Sequence, residues 1–178
     1  INAGGSRPRG WHKCVTKMLG VLGAGMMGAG IAYVSAAAGI EVVLKDVTIE
    51  AAEKGKAYSA NLLDKKVSRG QMTAEKREAF LALIKPTVSD ADFDGCDLII
   101  EAVFEDRDLK AKVTVAAEAA ALPDAVIASN TSTLPITGLA TAVQQQDRFI
   151  GLHFFSPVHK MPLVEILCGT NTSDETLA

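Results

Sequence analysis

The chain has 178 residues, of which 48% are hydrophobic and 22% charged, with a formal net charge of −3. This is the balance of one globular domain with a packed core, not of a disordered or fibrous chain, and the dispersed basic residues exclude the footprint that binding a phosphate backbone requires. Nucleic acid is therefore not an expected partner, and three cysteines (Cys14, Cys96 and Cys168), odd in number and outside any CxxC pattern, imply reduced thiols without a disulfide or metal framework.

Residues 1–13 include Gly4-Gly5-Ser6-Arg7-Pro8-Arg9-Gly10, which reads as a flexible linker without the apolar run of a signal peptide, so the domain is expected over 14–178. From Met18 to Ile40 no residue is charged, a length that could suggest a membrane span. Six glycines interrupt it, and their spacing instead predicts no span but a strand over 17–22, a glycine turn and a helix over 26–38 stopped by Gly39. A β-branched strand over 40–44 follows, ending at Lys45-Asp46. Thr48 then caps a long helix to about residue 69, with Gly70 beyond it, and Thr73 opens another.

Pro86 interrupts the pattern, with a brief strand expected at 87–88 and a clearer one over 97–103 around Leu98-Ile99-Ile100. A helix over 107–121, a turn at Pro123-Asp124, a strand over 125–129, the polar loop Asn130-Thr131-Ser132-Thr133 and a helix starting near Pro135 come next. Strands over 149–155 and 163–168 complete the set, and residues 172–178 read as a cap and the first turn of a helix that continues in a longer protein. Apolar strands alternating with helices predict an α/β fold: a Rossmann-like, doubly wound, mostly parallel sheet with helices on both faces.

Gly23-Ala24-Gly25-Met26-Met27-Gly28 fits GxGxxG between a strand and a helix. Gly23 permits the tight turn, Gly25 lets a pyrophosphate approach the backbone, and Gly28 lets helix and strand pack closely. The helix N-terminus then faces the anion. Asp46, eighteen residues beyond Gly28, is placed to accept hydrogen bonds from the adenosine ribose and to repel a 2′-phosphate. The expected cofactor is NAD rather than NADP, with the neighbouring Lys45 as the one residue that argues the other way.

His153 and Glu165 each lie in apolar, strand-like sequence, where an unpartnered imidazole or carboxylate would be costly to bury. The cheapest arrangement has them satisfy each other. An imidazole held by a carboxylate is also the usual form of a general base working near neutral pH. His12 falls in the linker and His159 beside Lys160 in a turn, so both are expected to face solvent without a role. Lys54, Lys56, Lys65, Lys66 and Arg69 make the long helix locally basic, which reads first as a solvated face and second as a surface for coenzyme A phosphates.

With the glycine turn, Glu101-Ala102-Val103-Phe104-Glu105, Ser129-Asn130-Thr131-Ser132-Thr133 and His153-Phe154-Phe155-Ser156-Pro157 to Glu165 in this order, the chain resembles the 3-hydroxyacyl-CoA dehydrogenases, in particular the dehydrogenase part of multifunctional fatty-acid oxidation enzymes. The resemblance implies NAD-dependent oxidation of (S)-3-hydroxyacyl-CoA in β-oxidation, with His153 as base, Glu165 orienting it and Ser132 contacting substrate and cofactor. It places Met27, Glu105, Lys110 and Ser156 at the cofactor. Glu105 and Lys110 could equally be a solvated helix start, and Ser156 stands where many relatives carry asparagine. Asn130 could brace the serine loop. The resemblance further implies an upstream hydratase domain, a helical domain downstream of residue 178, an acyl-CoA partner, and a reducing compartment: bacterial cytoplasm, or mitochondrial matrix or peroxisome in a eukaryote. A cofactor-binding module without turnover and another NAD-dependent hydroxy-acid dehydrogenase remain as alternatives.

Overall fold

The computed structural model describes residues 8–11 and 14–178. Most of the expected linker, His12 included, lies outside the described residues; 8–11 form a turn in which the Trp11 amide donates to the Pro8 carbonyl at 3.4 Å. Along the chain run β1 (Met18–Leu22), α1 (Met26–Ala37), β2 (Glu41–Lys45), α2 (Ile49–Ser68), α3 (Ala74–Ala82), β3 (Ile84–Thr87), β4 (Leu98–Glu101), α4 (Arg107–Ala120), β5 (Val126–Ser129), α5 (Ile136–Ala140), β6 (Phe149–Phe154), β7 (Val164–Cys168) and α6 (Asp174–Leu177).

The strands form one sheet in the order β3-β2-β1-β4-β5-β6-β7. Every neighbouring pair is parallel except β6 and β7, which run antiparallel with His153 opposite Glu165. The order reverses direction at β1, and in such sheets ligands bind outside the carboxyl ends of the strands near that reversal. The expected α/β architecture is thus the observed one, and the uncharged stretch from Met18 to Ile40 is a strand, a turn and a helix. Among the described residues no helix is long and apolar enough to cross a membrane.

Alternation along β1 explains the two core layers. Leu19 and Val21 join Ile31, Ala32 and Ala36 of α1 on one face, while Leu22 joins Ile99, Ile127, Leu139 and Phe149 on the other. Burying one such aliphatic side chain contributes about 1.5–3 kcal/mol, so both faces of the sheet are closed by their own helices. Thr48 and Thr73 cap α2 and α3 through their side-chain oxygens, as their positions predict.

One element departs from expectation. The strand expected at 87–88 begins earlier and contains Pro86, which pairs with Leu44. Because β3 is the edge strand, the missing proline N–H removes no ladder bond within the sheet. At the opposite edge β7 is largely exposed, so this strand is not apolar-covered on both faces as the central ones are.

Candidate active site

The glycine turn leaves β1 through Gly23, whose φ of +91° lies in the region that favours glycine. Gly28 must be glycine for another reason: an added Cβ would stand 1.8 Å from the Gly23 carbonyl oxygen, inside covalent-contact range. At Gly25 an added Cβ would meet nothing within 4 Å, so the backbone there is bare. No side chain caps the N-terminus of the twelve-residue α1, leaving its first amides for an external acceptor. Met27, half-buried, follows in the first turn of the helix.

Asp46 directly follows β2 and faces this turn. Its Oδ2 accepts the Ala24 amide at 2.7 Å and its Oδ1 the Val47 amide at 2.7 Å. A cleft of about 280 Å³ beside it is walled by Gly23, Val47, Val88, Val103 and Val113. Lys45, the residue that complicated the choice of cofactor, is held by Asp90 at 2.5 Å. These features fit a dinucleotide: an open glycine backbone, uncapped helix amides and an acid at the rim of an apolar cleft.

At the carboxyl ends of β4 and β5 the chain buries a charge network. Glu101 is fully buried; its Oε1 accepts the Val103 amide and the Lys110 ammonium, each at 2.8 Å, and its Oε2 accepts the Ser129 hydroxyl at 2.7 Å. Lys110 also reaches Glu105 Oε2 at 3.1 Å and the Val103 carbonyl at 3.3 Å. The solvated helix start considered for Lys110 is therefore not what forms: its side chain is 2% exposed because two carboxylates and a carbonyl draw it inward.

Glu105 in turn shapes the serine loop. Its Oε1 accepts the amides of Ser132 and Thr133 at 3.0 Å each and the hydroxyls of Thr131 and Thr133. Burial alone would raise the Glu105 carboxyl, but the hydrogen bonds from Thr131 and Thr133 and the nearby Lys110 ammonium outweigh it and bring the pKa down to about 2. Ser132 is left exposed at the loop's tip. Asn130 fastens the base of the loop, its Oδ1 accepting the Phe154 amide at 2.9 Å.

His153 Nδ1 and Glu165 Oε2 lie 2.8 Å apart across the β6–β7 ladder. The Phe155 ring packs 4.7 Å from the imidazole, centroid to centroid. The pair is not buried as its apolar sequence surroundings suggest: the Glu165 side chain is 51% exposed and that of His153 21%, because β7 is the edge strand of the sheet. Ser156, beyond the histidine, donates to Met26 Sδ at 3.6 Å and so sits near the start of α1.

One further expectation holds and another changes. Lys54, Lys65, Lys66 and Arg69 of the long helix and its cap are exposed, as a solvated face requires. His159 does not face solvent: it shares a hydrogen bond with the Tyr58 hydroxyl at 2.6 Å and packs edge-on against Tyr33 and Tyr58. Of the basic residues on α2, Lys66 places its ammonium over the Tyr33 ring, 5.6 Å from its centroid, while Lys54 lines a cleft with Gly25, Met26, Asp46 and Tyr58. Sequence reasoning missed Glu101 and Ser129 as parts of the site. The available signal was a carboxylate closing the apolar run Leu98-Ile99-Ile100, which needed a buried partner as much as His153 did.

Comparison with known proteins agrees with this geometry. The profile of the 3-hydroxyacyl-CoA dehydrogenase NAD-binding domain matches residues 18–178. The (S)-3-hydroxybutyryl-CoA dehydrogenase of Ralstonia eutropha is 41% identical and superposes with a TM-score of 0.86, over 91% of this chain and 57% of that one. The 3-hydroxybutyryl-CoA dehydrogenase of Escherichia coli K12 is 34% identical with a TM-score of 0.87, over 92% of this chain and 35% of that one. The dehydrogenase part of a multifunctional enzyme from C. elegans is 26% identical with a TM-score of 0.80, over 94% and 38%. This chain thus spans less than two thirds of each of these relatives. With a profile match running from residue 18 to 178 and 41% identity to one relative over nine-tenths of its length, the chain belongs to the 3-hydroxyacyl-CoA dehydrogenase family, as its NAD-binding domain.

Proposed function

We propose that the protein interconverts (S)-3-hydroxyacyl-CoA and 3-ketoacyl-CoA with NAD, in the oxidation of fatty acids, with His153 as general base. The observation that carries this reading is the 2.8 Å contact between His153 Nδ1 and Glu165, at the end of the sheet that also holds the glycine turn. Bound NAD supplies the hydride acceptor. With Nδ1–H donating to the carboxylate, the lone pair of Nε2 is free to take the proton of the 3-hydroxyl as the C3–H bond breaks. Glu165 fixes the ring orientation and stabilises the imidazolium that results; in the reverse direction the imidazolium returns the proton.

Ser132, exposed on a loop held by Glu105 and Asn130, is the residue of this site best placed to touch the substrate. Asp46 holds the ribose, the valine-walled cleft takes the adenine, and Gly23, Gly25, Met27 and Gly28 receive the pyrophosphate. Ser156 and Glu105 face the nicotinamide half. The activities of the relatives support an acyl-CoA substrate, and their greater length supports further domains beside this one; the partners proposed are a hydratase domain upstream and a helical domain downstream.

The test follows NADH oxidation with acetoacetyl-CoA by this chain and by His153→Ala. The variant is expected to lose about 10²–10⁴-fold in turnover while binding NADH normally. A parent chain that binds NADH and never turns over would instead make it a cofactor-binding module, and equal turnover by the variant would remove His153 from the mechanism.

A further inference from the structure

We infer that the buried chain Glu101–Lys110–Glu105 biases the site toward the oxidised cofactor, because its net charge of −1 stabilises a cationic nicotinamide and not the neutral reduced ring. The inference rests on the proposal that NAD binds across the carboxyl ends of the strands. Sheet order places β4 and β5 between the glycine turn after β1 and His153 on β6. Neighbouring strands lie about 4.8 Å apart, so β1 and β6 are separated by about 14 Å. A dinucleotide with its pyrophosphate on α1 and its reacting carbon near His153 must pass over the network.

Glu101 accepts three bonds and donates none, the pattern of an ionised carboxylate. Glu105 accepts from two amides, two hydroxyls and an ammonium and likewise donates none. Lys110 is one cation between two anions. The nearest basic side chain on the same turn, Arg107, points elsewhere, donating to the Gly138 carbonyl at 3.0 Å. One negative charge is left over, and Glu105, 35% exposed, is the member that reaches the surface.

Burial makes the field effective at a distance. Glu101 is 0% and Lys110 2% exposed, so neither can touch a ligand, yet both act on one through a medium less polarisable than water. Oxidised and reduced cofactor share every group except the ring whose charge changes. A protein charge beside that ring therefore appears in the ratio of the two affinities and cancels from everything the two forms have in common.

The experiment measures dissociation constants of NADH, by nicotinamide fluorescence, and of NAD⁺, by titration calorimetry, for the chain as it stands, for Glu105→Gln and for Glu101→Gln. Each isosteric change removes one negative charge, and two sites guard against a fold defect in either. The ratio Kd(NAD⁺)/Kd(NADH) is expected to rise about three- to tenfold in both variants. An unchanged ratio in both overturns the inference. A change in Glu105→Gln alone also overturns it, since Glu105 would then act by contact and not as part of a buried charge balance. Turnover takes no part in this measurement, so a chain unable to reduce acetoacetyl-CoA could lose the proposed activity and keep the bias.

Discussion

Asp46 accepts the Ala24 amide at 2.7 Å, which makes the acid after β2 and the glycine turn after β1 one mechanical unit. An ionised carboxylate offers about four acceptor sites, so holding two amides leaves capacity for ribose hydroxyls. Asp46→Ala removes the brace and the acceptors together. NADH affinity is expected to fall about tenfold or more, near 1.4 kcal/mol. Fluorescence titration returning the parent affinity would remove Asp46 from the cofactor site.

Two glycines of the same turn should fail in opposite ways. Gly28→Ala forces a methyl to within 1.8 Å of the Gly23 carbonyl oxygen, where both partners are backbone and cannot swing aside. Urea unfolding should show a loss of more than about 2 kcal/mol. Gly25→Ala meets no atom within 4 Å, so its stability should stay within about 0.5 kcal/mol of the parent while NADH binding weakens. Normal NADH binding by Gly25→Ala would show that no phosphate approaches there.

Glu105 makes a pH prediction with a definite sign. Its carboxyl is held near 2, below its ordinary value of 4.5, so its contribution to stability is complete above about 4.5 and is lost as pH falls through about 2. Acid titration of the folded chain should therefore show a loss of stability in that window. In Glu105→Gln this component should be missing, and identical acid profiles for the two chains would contradict the carboxylate's role in tying down residues 131–133.

How much of this could be read from sequence depended on whether partners were close along the chain or recognisable by pattern. The strands and helices were legible because apolar periodicity and capping threonines are local. The turn and Asp46 were legible because glycine spacing and a strand-terminal acid have a geometric meaning together. Lys110 was not, since a lysine on a helix is normally solvated and only the fold brings Glu101 beneath it. His159 was misread for the same reason: Tyr58, its partner, lies 101 residues earlier. Glu165 shows the converse. Its pairing with His153 was correct although the burial that suggested it is only partial, because an edge strand satisfies alternation without covering both faces.

The pairing of His153 with Glu165 is a property of hairpin register, and register is discrete. Side chains alternate faces at every residue, so a slip of β7 by one position would turn Glu165 to the far side of the sheet and set Val164 or Ile166 opposite the imidazole. Changes in the connection between β6 and β7 therefore act on the chemistry as a switch with two settings, and the loop that joins them can vary freely only so long as it delivers β7 in the same phase.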